Sequence, residues 1–328
     1  MSIEIIFIVN LRGIYMFKKV LISSDLSDAS NALLACSVSL KNIGVEEAVL
    51  GHILQYDTIP GRMNETFEKE TVIMDKDHEL LKDLMPLLEK QQAILEEAGI
   101  KATIEVAHGI PARAINDLAE KHEVSAIVTG SHGKGILKRV AMGSVSSQLL
   151  GLTRKPVFLF RVNIGKNFEA VMSCKRLFNH ILYLTDFSEI AQKSLDYLEQ
   201  IVKHSKSSVT ILHIHDFIEA KAYIYKAPDV NPRYFEKVEA DIPEEVQSDL
   251  EAIKKRLLAA GSPTVNIEYK KGVPKYTALE YIEEQDELTL VVMGSQGKGF
   301  VKELFIGSLS LEISRNSPIP VLLIPAKV

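Results

Sequence analysis

Residues 130–144 read GSHGKGILKRVAMGS, and residues 294–308 read GSQGKGFVKELFIGS. Both stretches follow the pattern Gly-x2-Gly-x9-Gly-Ser, and the second lies 164 residues after the first, half the length of the chain. A repeat of this length indicates two copies of one domain. Each stretch also follows a short apolar run and precedes a predicted helix, a position in which glycine-rich loops bind phosphate groups.

Other landmarks recur in the same order and extend the repeat over nearly the whole chain. An apolar run that ends at Asp25 matches one that ends at Asp186, and the Gly-x-Pro at Gly109 matches the Gly-x-Pro at Gly272. The repeat predicts an N-terminal extension at 1–15, a first domain at 16–162, a linker at 163–176 and a second domain at 177–328.

Composition bounds the class of protein. The chain has 328 residues, of which 46% are hydrophobic and 25% charged, as in ordinary globular proteins. Its net charge of −5, and the lack of any Lys/Arg run, argue against a nucleic-acid partner. Cys36 and Cys174 are too few for a disulfide scaffold and do not form a CxxC pair, which indicates a reducing cytoplasm. Residues 1–15 do not resemble a signal peptide and are too short to cross a bilayer, so we expect no membrane partner.

The local pattern predicts the same order of elements in each copy. Short β-branched apolar runs alternate with segments of helical periodicity, which indicates parallel strands joined by helices. The predicted strands are Val20–Ser23, Val49–Leu54, Ala102–Ala107, Ser125–Thr129 and Pro156–Phe160, then Ile181–Thr185, Val209–Ile214, Val265–Tyr269, Thr289–Met293 and Val321–Ile324. The expected fold class is α/β, with two tandem, doubly wound, five-stranded parallel sheets.

The first strand and the glycine loop supply candidate ligand groups at one edge of each sheet. Ligands of open parallel sheets bind beyond the carboxyl ends of the strands, where the strand order reverses. Asp25 and Asp186 end the first strands, and the glycine loops follow the fourth. Gly143 and Gly307 then precede a helix whose N-terminus offers unpaired N–H groups and a partial positive charge. These features together predict a site for a di- or triphosphate.

The glycine motif, the aspartate that ends strand one and the Gly-x-Pro before the third helix resemble the universal stress protein (UspA-like) family. The resemblance runs from about Met16 to Val328 and is that of a tandem two-domain member. It implies an adenine nucleotide alpha-hydrolase-like fold, and the intact motif is similar to that of the family's ATP-binding branch. The implied cofactors are ATP or AMP, with Mg2+ held through the phosphates rather than by protein ligands.

The resemblance also implies which residues bind the nucleotide. It places adenine against the backbone of Ile53 and Ile214, and it assigns the acidic position to Asp25 and Asp186. Ribose and phosphates map onto the loop residues Gly130, Gly133, Gly143 and Ser144, and onto Gly294, Gly297, Gly307 and Ser308. Because both copies match, we expect two nucleotide sites.

Some of these residues also have purely structural interpretations. Asp25 is suited to capping the helix after strand one, and His52 and His213 suit positions at the edge of the core. Lys134 and Lys298 follow the second glycine of each motif, but without the Ser or Thr of a Walker A loop. They either contact phosphate or are solvated.

Two histidine patterns invite a catalytic or a metal interpretation. His132 is replaced by Gln296 in the second copy, which argues against an obligatory base. His213 and His215 share one face of a strand, but Leu54 stands at the place of His215 in the first copy, which disfavours a metal site.

Two functions of different classes remain open. The first is a regulatory protein of the stress response that binds adenine nucleotide. The alternative is a slow ATPase or adenylate-transfer enzyme, for which Asp25 and Asp186 are the only carboxylates placed near the site. A nucleotide-free interaction scaffold is a further possibility. In the family, dimers form through the last strand, which here implies an intramolecular pseudo-dimer of the two domains and a possible homodimer of the chain.

Overall fold

The computed structural model describes residues 16–55, 75–131, 142–161, 176–216, 242–297 and 306–326, with the backbone alone for 75–80. The chain divides into two compact units, with the division between Leu177 and Phe178. Each unit is described by itself below. The predicted extension at 1–15, all but the last residue of the predicted linker, and the middle of each glycine loop lie outside the described residues.

In the described part of the first unit, five strands form a parallel sheet in the order β3-β2-β1-β4-β5. The strands are β1 (Lys19–Ser24), β2 (Glu47–Leu54), β3 (Lys101–His108), β4 (Ala126–Gly130) and β5 (Val157–Phe160). The helices are α1 (Asp28–Ser37), α2 (Asp75–Glu97), α3 (Pro111–Lys121) and α4 (Ser144–Leu152), and a 3-10 helix (Val38–Ile43) follows α1.

The described part of the second unit repeats this arrangement, with the strand order β10-β9-β6-β7-β8. The strands are β6 (His180–Leu184), β7 (Ser208–Asp216), β8 (Val265–Gly272), β9 (Leu290–Gly294) and β10 (Val321–Ile324). The helices are α5 (Glu189–Ser205), α6 (Glu244–Ala259), α7 (Pro274–Glu284) and α8 (Ser308–Asn316). The expected fold class and all ten predicted strands are confirmed, with boundary shifts of at most three residues.

The strand order places the candidate site at a topological switch point in each unit. From β1 the chain moves outward to β2 and β3, and then returns to β4 on the other side of β1. The second unit does the same from β6 to β9. The carboxyl ends of the first and fourth strands are therefore neighbours, and the helices that follow them leave an opening between them.

The core of the first unit shows why the apolar runs become strands. Leu21, Val49 and Ile127 project from three neighbouring strands and are fully buried against α3 and α4. The neighbouring residues of β1 point to the opposite face, because side chains alternate along a strand. They are buried there too, and α1 and α2 pack on the sheet as well. A strand buried on both faces needs a continuous apolar run, which is the pattern the sequence shows.

Helix starts follow the local sequence. Ser27 and Ser188 cap α1 and α5, because each side chain accepts a hydrogen bond from the backbone N–H three residues on. Helix α2 continues through Pro86, a residue type that usually kinks or ends a helix.

The cysteines leave the expected compartment untested. Cys36 on α1 is fully buried, and Cys174 lies outside the described residues. The cytoplasmic location stays a prediction.

Candidate functional site

The two ends of each glycine segment are hydrogen-bonded to each other. Gly143 N donates to Ser131 O at 2.7 Å, and Gly307 N donates to Ser295 O at the same distance. Ser131 N in turn donates to the carbonyl oxygen of Phe160, the last residue of β5, at 2.8 Å. Ser295 N donates to that of Ile324, the last residue of β10, at the same distance. The segment that begins after β4 or β9 is therefore a closed loop whose base is tied to the sheet.

A serine on the following helix holds the start of each loop. Ser146 Oγ donates to Gly130 O at 2.6 Å, and Ser310 Oγ donates to Gly294 O at 2.9 Å. Both serines are buried. Sequence reasoning missed them, although they stand at matching places in the repeat, two residues after the Ser of the motif. This match was the signal that could have found them.

The glycine loops end at the helix starts that the motif predicts. Gly143 and Gly307 are the N-cap residues of α4 and α8, and neither helix has a side-chain cap. Ser144 and Ser308 are exposed at the first helical position. The free N–H groups and the positive end of the helix dipole thus open toward solvent beside exposed hydroxyls. This combination favours an anion.

The second unit brings its aspartate into contact with its glycine loop. A Cβ atom added to Gly297 would lie 2.5 Å from Asp186 Oδ2, so this position has room only for glycine unless the carboxylate moves. The other carboxylate oxygen, Asp186 Oδ1, accepts a hydrogen bond from Ser188 N at 3.0 Å. The acidic position and the second glycine of the motif, predicted from separate parts of the sequence, are therefore adjacent.

The first glycine of the second loop is also closely packed. A Cβ atom at Gly294 would lie 2.6 Å from Ile190 Cγ2 and 3.3 Å from the Ile190 carbonyl carbon. The loop therefore starts against the first turn of α5, the helix that follows β6. Contact between the fourth strand's loop and the first strand's helix is what closes the base of the switch point.

Asp25 has the same place in the first unit but a richer set of donors. Its Oδ1 accepts from Ser27 N at 3.1 Å, and also from the hydroxyls of Ser27 and Ser30. Ala191 stands at the place of Ser30 in the second unit. Asp25 therefore supports the capping serine, whereas the N-cap of α1 is Ser27 and not Asp25 as the structural interpretation expected. Gly133, the first-unit counterpart of Gly297, lies outside the described residues with His132, Lys134 and Lys298.

Ile53 lies just beyond the point where β1 ends. β2 pairs with β1 as far as His52 and continues along β3 to Leu54. Leu54 O accepts from Gly109 N, on the β3 side. Successive residues of a strand direct their backbone groups to opposite neighbours, so the N–H and C=O of Ile53 point toward the carboxyl end of β1.

Ile214 has the same geometry in the second unit. β6 ends at Leu184, and Leu212 O still accepts from Thr185 N on that side. Ile214 lies two residues farther along β7, so its backbone N–H and C=O share this direction. In each unit a strand backbone, an aspartate and a helix N-terminus thus surround one switch point.

One buried hydroxyl of the second loop has no hydrogen-bond partner among the described residues. Ser295 Oγ is buried, and the described residues offer it no hydrogen bond. Leaving such a group unsatisfied costs about 1–3 kcal/mol. A buried water molecule bonded to this oxygen would remove the cost.

Two findings bear on metal and membrane partners. Within the described ranges, no three His, Cys, Asp or Glu side chains are grouped so that they could hold a metal ion. Over the same part of the chain, no helix combines the length and the apolar character needed to cross a bilayer.

Tyr183, close to Asp186, is held in its neutral form. Burial raises the pKa of Tyr183 on β6 to about 12, and the negative charge of Asp186 contributes in the same direction. The Tyr183 hydroxyl is fully buried and donates to Ala191 O at 2.6 Å. It therefore acts as a neutral hydrogen-bond donor that ties β6 to α5, and it does not ionise near neutral pH.

Comparison with known proteins decides the family. The model of the universal stress protein family matches residues 16–161 and again residues 177–325. The chain belongs to the universal stress protein family. It contains two Usp domains in tandem.

Single-domain universal stress proteins match one half of the chain. Universal stress protein MJ0577 of Methanocaldococcus jannaschii is 30% identical over 158 residues, which cover 44% of this chain and 96% of that protein. YxiE of Bacillus subtilis is 26% identical over 149 residues, or 45% of this chain and 99% of that protein. These relatives correspond to one Usp domain each.

A solved universal stress protein matches the whole tandem. The crystal structure of a universal stress protein from Archaeoglobus fulgidus has a TM-score of 0.67 and 25% identity. The match covers 94% of this chain and 98% of that one. The two-domain organisation is therefore found in another member of the family.

Proposed function

We propose that this tandem universal stress protein is a regulatory protein that binds one adenine nucleotide in each domain. The observation that carries the proposal is the approach of Gly297 to Asp186 Oδ2 beside the open N-terminus of α8. A side chain at position 297 would fill the space between the acidic residue and the loop. Glycine keeps this space open beside the N-terminus of α8, whose N–H groups suit an anion.

The residues of each domain fit the parts of an adenine nucleotide. Ile53 and Ile214 present backbone donors and acceptors for the edge of the base, while Asp25 and Asp186 suit hydroxyl groups of the ribose. The helix starts at Ser144 and Ser308 suit the phosphates, and the unsatisfied hydroxyl of Ser295 lies in the same loop. Mg2+ would bind through phosphate oxygens and water, as it commonly does with nucleotides.

Binding fits the site better than turnover. ATP hydrolysis needs a group that orients or deprotonates the attacking water. Asp25 is the candidate base of the first domain, but its Oδ1 already accepts three hydrogen bonds from two serines. These donors occupy Oδ1, so this oxygen is engaged with the turn before α1 and not with an attacking water molecule. The geometry therefore favours a sensor in which nucleotide stabilises one state of the protein.

Ligand binding alone is large enough to regulate such a protein. A ligand at a hundredfold excess over its Kd stabilises the folded state by about 2.7 kcal/mol. Pairing of the two domains as a pseudo-dimer, a homodimer of the whole chain and a cytoplasmic location remain predictions from the family resemblance.

Isothermal titration calorimetry with Mg-ATP, and then with AMP, tests the proposal. We expect saturable binding with one nucleotide per domain, and a matching rise in Tm. Titration with Mg-GTP is the control for recognition of the base. Failure of both adenine nucleotides to bind would reduce the glycine loops to structural turns and leave an interaction scaffold.

A further inference from the structure

A histidine of the second strand holds the end of the first strand in both domains. His52 Nδ1 lies 2.9 Å from Ser24 O, and His213 Nδ1 lies 2.9 Å from Thr185 O. A carbonyl oxygen can only accept a hydrogen bond, so each Nδ1 carries the proton and donates it. Both rings are buried, with 6% and 7% of their surface exposed. A buried donor of this kind stays in place because its carbonyl partner satisfies it.

The residue whose carbonyl is held also holds the backbone on the far side of the aspartate. Leu26 N donates to Ser24 Oγ, and Phe187 N donates to Thr185 Oγ1, both at 3.1 Å. Leu26 has a φ of 61° and Phe187 a φ of 60°. Residues other than glycine rarely adopt this left-handed conformation, and where they do so the surrounding contacts must enforce it.

The aspartate of each site is the residue between these two anchors. We propose that His52 and His213 are positioning residues, which fix the turn that presents Asp25 and Asp186 to the nucleotide. The inference rests on the proposed function for its ligand. The name histidine clamp is used below for the hydrogen bond from the histidine Nδ1 to the carbonyl at the end of strand one.

The clamp is more than a by-product of ring packing. In the second domain the ring of Phe187 lies 4.5 Å from the ring of His213, centroid to centroid. Leu26 stands at the place of Phe187 in the first domain, so the neighbour of the histidine is aliphatic there. The 2.9 Å hydrogen bond is the same in both. The feature shared by the two domains is therefore the bond to the carbonyl.

Two amide isosteres of histidine separate the clamp from general packing. The side-chain N–H2 of Asn reaches the place of Nδ1, whereas that of Gln reaches the place of Nε2. His213→Asn should therefore keep the clamp and His213→Gln should lose it. His52→Asn and His52→Gln are the matched pair in the first domain.

Amide hydrogen exchange tests the histidine clamp in the absence of any ligand. In His213→Gln the amides of Phe187 and Ser188, which donate to Thr185 and Asp186, should exchange at least about tenfold faster, the effect of losing roughly 1.4 kcal/mol of local protection. In His213→Asn their exchange should stay near that of the wild type. Unchanged exchange in His213→Gln would overturn the proposal, whether or not the protein binds nucleotide.

Nucleotide affinity then tests whether the histidine clamp positions the aspartate for binding. His213→Gln should raise the Kd for Mg-ATP of the second site by about tenfold, with the first site unchanged and His213→Asn near the wild type. In the background of Gly297→Val, which removes the second site, His213→Gln should leave the remaining affinity unaltered. A loss at the remaining site would show general unfolding and count against positioning. If the wild type binds no nucleotide, the proposed function fails, and the exchange result alone decides the clamp.

Discussion

Asp186 Oδ2 lies where a side chain at Gly297 would begin, 2.5 Å from the position of an added Cβ atom. The aspartate ends the first strand of the second domain, and the glycine belongs to the loop after its fourth strand. Strand order brings these two segments together, because β6 and β9 are neighbours. The contact joins the acidic position to the glycine-loop motif in one candidate site.

Filling this space should remove one nucleotide site and spare the other. In Gly297→Val the new side chain displaces the Asp186 carboxylate and enters this space, so calorimetric stoichiometry with Mg-ATP should fall to half the wild-type value. Gly151→Ala is the control, because a Cβ atom there has nothing within 4 Å and alanine suits a helix interior. Wild-type stoichiometry in Gly297→Val would remove the second glycine from the site.

The serine on the helix after the loop should matter for both stability and binding. Ser310→Ala leaves the carbonyl of Gly294 without its 2.9 Å hydrogen bond, at a cost of about 1 kcal/mol in the free energy of unfolding. Ser314→Ala on the same helix is the control, because its hydroxyl binds a carbonyl within the helix. Urea unfolding gives the free energy of unfolding of each variant, and calorimetry gives its Kd for nucleotide. Equal effects would show that the bond to Gly294 has no special role.

The donors around Asp25 predict a difference between the two domains. Ser30→Ala removes one hydrogen bond to the charged carboxylate and should lower the free energy of unfolding by about 1.5–3 kcal/mol. Ser37→Ala is the control on the same helix, since its buried hydroxyl donates to Leu33 O within that helix. Chemical denaturation measures both. Because Ala191 occupies the corresponding place, the second domain should already lack this contribution; a neutral Ser30→Ala would contradict it.

Alkaline pH should destabilise the second domain through Tyr183. Burial raises the pKa of Tyr183 from 10.0 to about 12, so the folded state favours the neutral phenol. Its contribution to stability is complete below about pH 10 and is lost as the pH rises toward 12. Tyr183→Phe should flatten part of this decline, although it loses the bond to Ala191 O. Unfolding measured across this range tests the slope, and an identical slope in wild type and variant would refute the assignment.

The fold and the outline of the site followed from the sequence because both rest on repeated local patterns. Apolar runs and glycine spacing can be recognised in the sequence itself. Their recurrence in both halves of the chain, as at Gly130 and Gly294, indicated a duplicated domain. The closure of each loop onto its own base was not visible, since hydrogen bonds such as Gly307 N to Ser295 O depend on the backbone path.

The residues that hold the turn at the end of strand one were harder to recognise, because their residue types do not indicate this role. His52 and His213 were correctly expected at the edge of the core, but their bond to strand one depends on the register of β1 with β2 and of β6 with β7. Leu26 and Phe187 adopt a left-handed conformation that their side chains do not favour. Gly or Asn is the residue expected at a left-handed position. Tertiary contacts, and not the residue type, therefore fix the backbone at Leu26 and Phe187.

Counting the nucleotide retained by the protein is the most direct test of two adenine-nucleotide sites. The purified chain is incubated with excess Mg-ATP, desalted and denatured, and the released small molecules are identified and counted by chromatography and mass spectrometry. We expect adenine nucleotide approaching one molecule per domain, reduced by half in Gly297→Val. Release of no adenine nucleotide from the wild type, at protein concentrations where calorimetry also detects no binding, would contradict it.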